Sequence, residues 1–128
     1  MKPLQLNHVA IHVTDVDRSI AFYRDALLLE ALPRPAFTFP GAWFRIGDDQ
    51  ELHLIGDQQY PPVTQHRGNH FALLIDDVVA WEQHLQAQGV DYLPRRVRPD
   101  KAYQIFLADP DGHFIELCTS PGTASGSR

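Results

Sequence analysis

The sequence predicts an α+β fold made of two tandem βαβββ modules, and three observations carry that prediction. The segment Asn7-His8-Val9-Ala10-Ile11-His12-Val13-Thr14-Asp15-Val16 recurs 62 residues later as Asn69-His70-Phe71-Ala72-Leu73-Leu74-Ile75-Asp76-Asp77-Val78, with five of ten positions identical. Each copy alternates like a strand and then meets an Asp suited to cap a helix. Each module also closes on a hairpin-like pair, turning at Gly47-Asp48-Asp49 and at Asp109-Pro110-Asp111-Gly112, where Pro and Gly supply the turn dihedrals.

In the first strand Val9, Ile11 and Val13 alternate with His8, Ala10 and His12, which sends the two sets to opposite faces. After Asp15, the residues Val16, Ser19, Ile20, Tyr23, Ala26 and Leu27 recur at helical spacing, with Asp17, Arg18, Arg24 and Asp25 on the solvated side. A strand is expected around 29–32 and a hairpin over 37–56. Residues 57–67, polar and carrying Pro61-Pro62, read as a linker between module one (4–56) and module two (68–119). In module two, Val78, Trp81 and Leu85 continue the helical pattern after Asp77, and Gly89 is a natural stop. A strand around 90–93 and a hairpin over 103–119 complete it, and the Gly, Ser and Thr of residues 121–128 suggest a flexible tail on a single domain of 1–120.

Composition narrows the function classes. The chain has 128 residues, 44% of them hydrophobic, enough for one globular domain with a core. A formal charge of −5 argues against nucleic acid, whose affinity rests on phosphate neutralisation by Lys and Arg. No apolar run reaches membrane-spanning length, and the opening residues lack the apolar stretch of a signal peptide. The single cysteine, Cys118, precludes an internal disulfide and fits a reducing compartment, so a cytoplasmic protein is expected.

Strand parity sorts the chemistry-bearing residues. His8 and His70 fall on the non-helical face of their strands, and so does Glu116, because Ile115 and Leu117 take the apolar face. In Glu51-Leu52-His53-Leu54-Ile55 the leucines do the same, leaving Glu51 and His53 opposite. Ionisable side chains on one concave face call for a shared partner, and imidazole plus carboxylate without thiolate suits Zn, Ni, Co, Fe or Mn. The first-module partner of Glu116 has two candidates: an offset of 63 selects His53 and one of 65 selects Glu51. His53 is taken because its alignment needs no extra loop residue. A lone strand histidine is more often a hydrogen-bonded or exposed residue than a ligand; it is the repeated Asn-His with a facing Glu that raises the set above that base rate. His12 shares the face without a counterpart and reads as pocket wall. His66, His84 and His113 fall in linker, helix and turn, and read as solvated. Cys118 reads as an apolar filler. Arg95, Arg96, Arg98 and Lys101 form a basic loop able to clamp a substrate carboxylate or phosphonate.

Two βαβββ units, a His in each first strand, the opening Asn7 to Leu28 with Asp17-Arg18-Ser19-Ile20-Ala21-Phe22-Tyr23-Arg24-Asp25, and Asp109-Pro110-Asp111-Gly112-His113-Phe114-Ile115-Glu116-Leu117 near the end together resemble the vicinal oxygen chelate superfamily. Its members include glyoxalase I, fosfomycin thiol transferases, extradiol dioxygenases and bleomycin-resistance proteins. The resemblance covers about residues 4–119. It implies curled mixed sheets with helices outside and a concave cleft, in which His8, His53, His70 and Glu116 hold a divalent transition metal. It also implies a homodimer acting on a small oxygen-chelating substrate. Phe39-Pro40-Gly41-Ala42-Trp43-Phe44 with Leu52-His53-Leu54-Ile55 looks like the glyoxalase-like branch, which implies a lyase or isomerase of the lactoylglutathione lyase type with glutathione as co-substrate. Glu116 is then the candidate base, and His12, Trp43, Tyr103 and Arg95 are candidate substrate contacts. In glyoxalase I the position of His53 is a Glu. The thiol transferases place a Thr where this chain has Ala10 and a Tyr where it has Phe106, so fosfomycin is not the expected substrate. A thiol transferase, an extradiol dioxygenase-type enzyme and a metal-free drug-binding protein are the alternatives.

Overall fold

In the computed structural model, which describes residues 1–56 and 66–126, two aspartates set where the helices begin. Asp15 and Asp77 are both extended, and each side chain accepts a hydrogen bond from the amide three residues on, Arg18 and Ala80, at 3.1 Å. Helix α1 spans Val16–Ala21 and widens into one π-helical turn, Phe22–Ala26, which the apolar spacing does not disclose. Helix α2 spans Val78–Ala87, and Gly89 follows its C-cap at φ 67°, the left-handed position that favours glycine.

The chain divides into two units, Met1–Val63 and Thr64–Arg128. Unit one holds β1 (His8–His12), β2 (Glu30–Leu32), β3 (Gly41–Ile46) and β4 (Gln50–Ile55), ordered β1-β4-β3-β2 with β1 parallel to β4 and the other pairs antiparallel. Unit two repeats this with β5 (His70–Leu74), β6 (Arg96–Val97), β7 (Tyr103–Ala108) and β8 (Phe114–Cys118), ordered β5-β8-β7-β6 with β5 parallel to β8. Each unit is therefore a βαβββ module carrying a four-stranded mixed sheet, and the α+β architecture stands.

Alternation packs each sheet on its own helix. Phe44, Leu52 and Leu54 are buried with Tyr23 in unit one, and Ile105, Leu107, Ile115 and Leu117 with Leu85 in unit two. The Tyr23 and Phe44 ring centres lie 6.2 Å apart. Burying such side chains is the main term holding each module together, about 1.5–3 kcal/mol apiece.

Three details differ from the sequence expectation or extend it. The strand expected around 90–93 does not form; the third-from-last strand is β6, which begins three residues past that segment. Pro94 explains the shift, since it has no N–H for a ladder, and the expected segment reaches the sheet only through the Leu93 amide on the Phe106 carbonyl at 2.8 Å. The expected linker, 57–67, lies outside the described residues over 57–65. The tail, expected to be flexible, carries one 3₁₀ turn, Thr123–Gly126, and the amides of Gly122 and Ala124 donate to the carbonyls of Asp100 and Lys101 at 2.9 and 2.8 Å. Among the described residues no helix is long and apolar enough to cross a membrane.

Gly41 is required by close approach. A Cβ built there would lie 2.2 Å from the Leu54 carbonyl oxygen of the paired strand. Gly41→Ala is expected to lower stability by about 1–3 kcal/mol in chemical denaturation, because the obstructing atom is backbone and cannot swing aside. An unchanged midpoint would show that β3 and β4 do not approach this closely.

Candidate functional site

Strand register decides which residues are equivalent in the two units. In unit one Ala10 lies opposite His53 and Trp43 opposite His53 from the other side. In unit two Ala72 lies opposite Glu116, and Phe106 opposite Glu116. His53 and Glu116 therefore hold the same place, while Glu51 matches Phe114. The offset of 63 is the one the sheets adopt, counting from 53 to 116.

Unit one gathers His8, His53, Glu51 and Trp43 on one face. The His53 ring is sandwiched: His8 stacks on one side at 4.3 Å and Trp43 on the other at 4.1 Å, tilted by only 18° and 4°. His53 Nε2 lies 2.8 Å from Glu51 Oε1, and His8 Nδ1 lies 2.8 Å from Asn7 Oδ1. Beyond Trp43 the wall continues through Phe37 and Phe39, with ring centres 6.0 and 5.2 Å apart in sequence. The Arg34 guanidinium sits over both phenyl rings at 4.8 and 5.0 Å and donates to the Phe39 carbonyl. Arg34 escaped the sequence reading; its one signal is a cation just ahead of two aromatic residues. His12 has the strand parity of His8 and pairs with Ile55 in register.

Unit two gathers His70, Glu116 and two residues not foreseen there, Gln104 and Arg98. Glu116 is 5% exposed. Gln104 Nε2 donates to its Oε1 at 2.8 Å, His70 Nε2 stands 3.5 Å from that same oxygen, and Arg98 Nη1 lies 3.7 Å from Oε2. The His70 Nδ1 donates to the Arg67 carbonyl at 2.8 Å. A carbonyl only accepts, so a neutral His70 carries its proton on Nδ1 and turns a bare Nε2 toward a carboxylate. Two acceptors facing each other call for a cation between them, a proton or a metal ion. Gln104 was legible by parity, since it shares the face of Phe106; Arg98 lies past the end of β6, where parity has no hold.

Electrostatics around Glu116 follow from these contacts. Arg98 forks onto Asp100 at 2.9 and 2.7 Å, which raises the guanidinium above its ordinary value and holds the Asp100 carboxyl below the usual range. Burial pushes the Cys118 thiol up, and the neighbouring Glu116 adds to the rise.

Two expected substrate contacts lie elsewhere. Tyr103 has the strand parity of the core residues Ile105 and Leu107, not of Glu116. It lines a cavity of about 460 Å³ with Arg95, Asp76, Asp77 and Val78 at the start of α2, where the Arg95 guanidinium lies 5.2 Å from its ring. Arg95 also faces Glu82 at 3.4 Å. Tyr103 does not join Glu116, because a one-residue change along a strand reverses the face, and Arg95, in the loop before β6, faces Glu82 and the Tyr103 ring instead.

The donor chemistry fits a divalent transition metal: imidazoles with one nitrogen committed to an acceptor and the other bare, and a buried carboxylate beside one of them. Each unit by itself supplies a partial set, and among the described residues no three His, Cys, Asp or Glu side chains come together as a cation cage.

A family model, the glyoxalase/bleomycin resistance protein/dioxygenase superfamily, matches residues 5–117. The chain belongs to this superfamily. Among members of the superfamily, it is 31% identical to the lactoylglutathione lyase of Haemophilus influenzae, with 96% of this chain and 98% of that protein aligned. It is also 31% identical to the metallothiol transferase FosB of Staphylococcus epidermidis, over 93% of this chain and 84% of that one. The crystal structure of a glyoxalase family protein from Bacillus anthracis superposes with a TM-score of 0.81 at 25% identity, covering 94% of this chain and 98% of that one.

The raised thiol gives a direct check on the Glu116 surroundings. At neutral pH Cys118 is expected to react with iodoacetamide more slowly than a free cysteine, with the rate climbing only above the ordinary thiol range near pH 8.5. Glu116→Gln removes the neighbouring charge and is expected to shift that profile to lower pH. A Cys118 that reacts at the ordinary rate would place it outside this environment.

Proposed function

We propose that the chain is a metal-dependent enzyme of the glyoxalase I type, acting in the cytoplasm as a homodimer on a small substrate with two neighbouring oxygens. A glutathione hemithioacetal is the foremost candidate. One observation carries the reading: a histidine of set tautomer faces a buried carboxylate in unit two, and unit one fills the equivalent positions with two further imidazoles. The lactoylglutathione lyase relative, aligned over nearly its whole length, supports the reaction class.

The proposed ligands are His8 and His53 from unit one and His70 and Glu116 from unit two, and Zn, Ni, Co, Fe or Mn suits them. When bound, the ion supplies Lewis acidity toward an oxyanion that develops on the substrate. The remaining roles belong to the chain. Glu116 is the proposed base, taking the proton from the carbon that bears sulfur and returning it to the adjacent carbon while the hydroxyl proton passes to the neighbouring oxygen, so that the hemithioacetal becomes a hydroxy thioester with no net change in atoms. Gln104 steadies the carboxylate by its hydrogen bond. Trp43, with Phe37 behind it, offers an apolar wall beside His53, and His12 shares that strand face. Arg95 and Tyr103 are not retained in this site, since they line the cavity at α2.

A second reading, thiol transfer to a small acceptor, is supported by the metallothiol transferase relative. The two differ in what they need from Glu116: ligation alone serves a transferase, whereas an isomerase also needs proton transfer.

Elemental analysis of protein purified without a histidine tag is expected to find close to one transition metal per chain. His70→Ala is expected to lose it and His84→Ala to keep it. With the hemithioacetal of methylglyoxal and glutathione as substrate, Glu116→Gln is expected to lower turnover by about 10²–10⁴-fold, the usual worth of a positioned base. Wild-type protein that takes up no metal after reconstitution would refute the enzyme assignment and leave a small-molecule binding protein.

A further inference from the structure

The hydrogen bonds of the three histidines do not select the same tautomer. His8 and His70 each commit Nδ1, to the Asn7 side-chain oxygen and the Arg67 carbonyl, and leave Nε2 bare. His53 commits Nε2, to Glu51 at 2.8 Å. A carboxylate accepts and does not donate, so this bond requires the proton on Nε2 and leaves the lone pair on Nδ1.

We infer that Glu51 is a positioning residue that holds His53 as the tautomer with a bare Nδ1, so that a divalent cation taken up at this ring would find Nδ1, and not Nε2, as the open donor atom. The inference rests on the metal reading above and assigns which atom of which ring takes part.

Three features support it. Both faces of the His53 ring are covered, by His8 and by Trp43, so a ligand reaches the ring only through its edge. On that edge Nε2 is taken, and among the described residues no hydrogen bond reaches Nδ1. Exchanging the two nitrogens by a ring flip would mean turning between neighbours at 4.1 and 4.3 Å and giving up the Glu51 bond. The register adds a reason for Glu51 itself. Unit two places a carboxylate at this position, Glu116, and unit one places His53 there with a carboxylate two residues earlier on the same face. The negative charge is retained and acts through the ring, and a carboxylate behind an imidazole makes the far nitrogen a stronger donor.

Long-range ¹H–¹⁵N NMR of the metal-free protein at about pH 8, where an ordinary histidine is neutral, reads each ring directly. Expected are a proton on Nε2 of His53 and on Nδ1 of His8 and His70. Zinc titration is then expected to move the Nδ1 resonance of His53. Glu51→Leu is expected to weaken zinc binding by about 10–100-fold, and Glu51→Gln, whose amide oxygen still accepts from Nε2, to restore most of it. A His53 protonated on Nδ1, or a Glu51→Leu variant that binds zinc as the wild type does, overturns the inference. Wild-type protein that binds no zinc overturns the metal reading and the ligand role together, while the tautomer assignment is still decided by the ring resonances alone.

Discussion

The burial of one carboxylate organises unit two. An ionised carboxylate taken out of water costs several kcal/mol unless it is paired and hydrogen-bonded. Glu116 meets part of that demand with Gln104 from the neighbouring strand and the Arg98 guanidinium beyond β6, and the His70 ring from β5 leaves room beside it for a further cation. Two of these neighbours are held in turn: His70 by the Arg67 carbonyl, Arg98 by its fork onto Asp100. The strand order is what makes this arrangement available, since β8 lies between β5 and β7 and collects side chains from both.

Unit one meets the same geometric opportunity with different chemistry. Its central strand β4 lies between β1 and β3 and collects His8 and Trp43 around His53. Stacking is added to hydrogen bonding as the means of fixing the central side chain, and the carboxylate is displaced to Glu51. The two halves of the repeat thus share register and differ in how the central residue is restrained.

Much of the fold was legible because its signals are local. Asp15 and Asp77 mark helix starts through their own side chains, the Asn-His repeat reports the duplication, and alternation in β4 and β8 separates the buried leucines from Glu51, His53 and Glu116. What escaped depends on non-local partners. The π-helical turn at Phe22–Ala26 is a change of backbone hydrogen bonding within an unbroken apolar pattern, and β6 is two residues long, too short for alternation to show. For the candidate site, parity carried the reading as far as the strands extend, including the neglected Gln104. Parity sets Tyr103 with Ile105, away from Glu116, and it does not apply to Arg95, a loop residue. The choice between Glu51 and His53 was open because two residues of loop length shift the alignment without changing the face; strand pairing distinguishes them.

The docked tail ties the end of the chain to this chemistry by a short mechanical chain. Gly122 and Ala124 bond the backbone of Asp100 and Lys101; Asp100 grips Arg98; Arg98 faces Glu116. A segment whose composition marks it as expendable is thereby three links from the buried carboxylate. Cutting the chain after Ser120, or fusing a bulky partner there, would leave the described strands intact and still loosen the cation beside Glu116, so the choice of expression boundaries is itself a perturbation of the site.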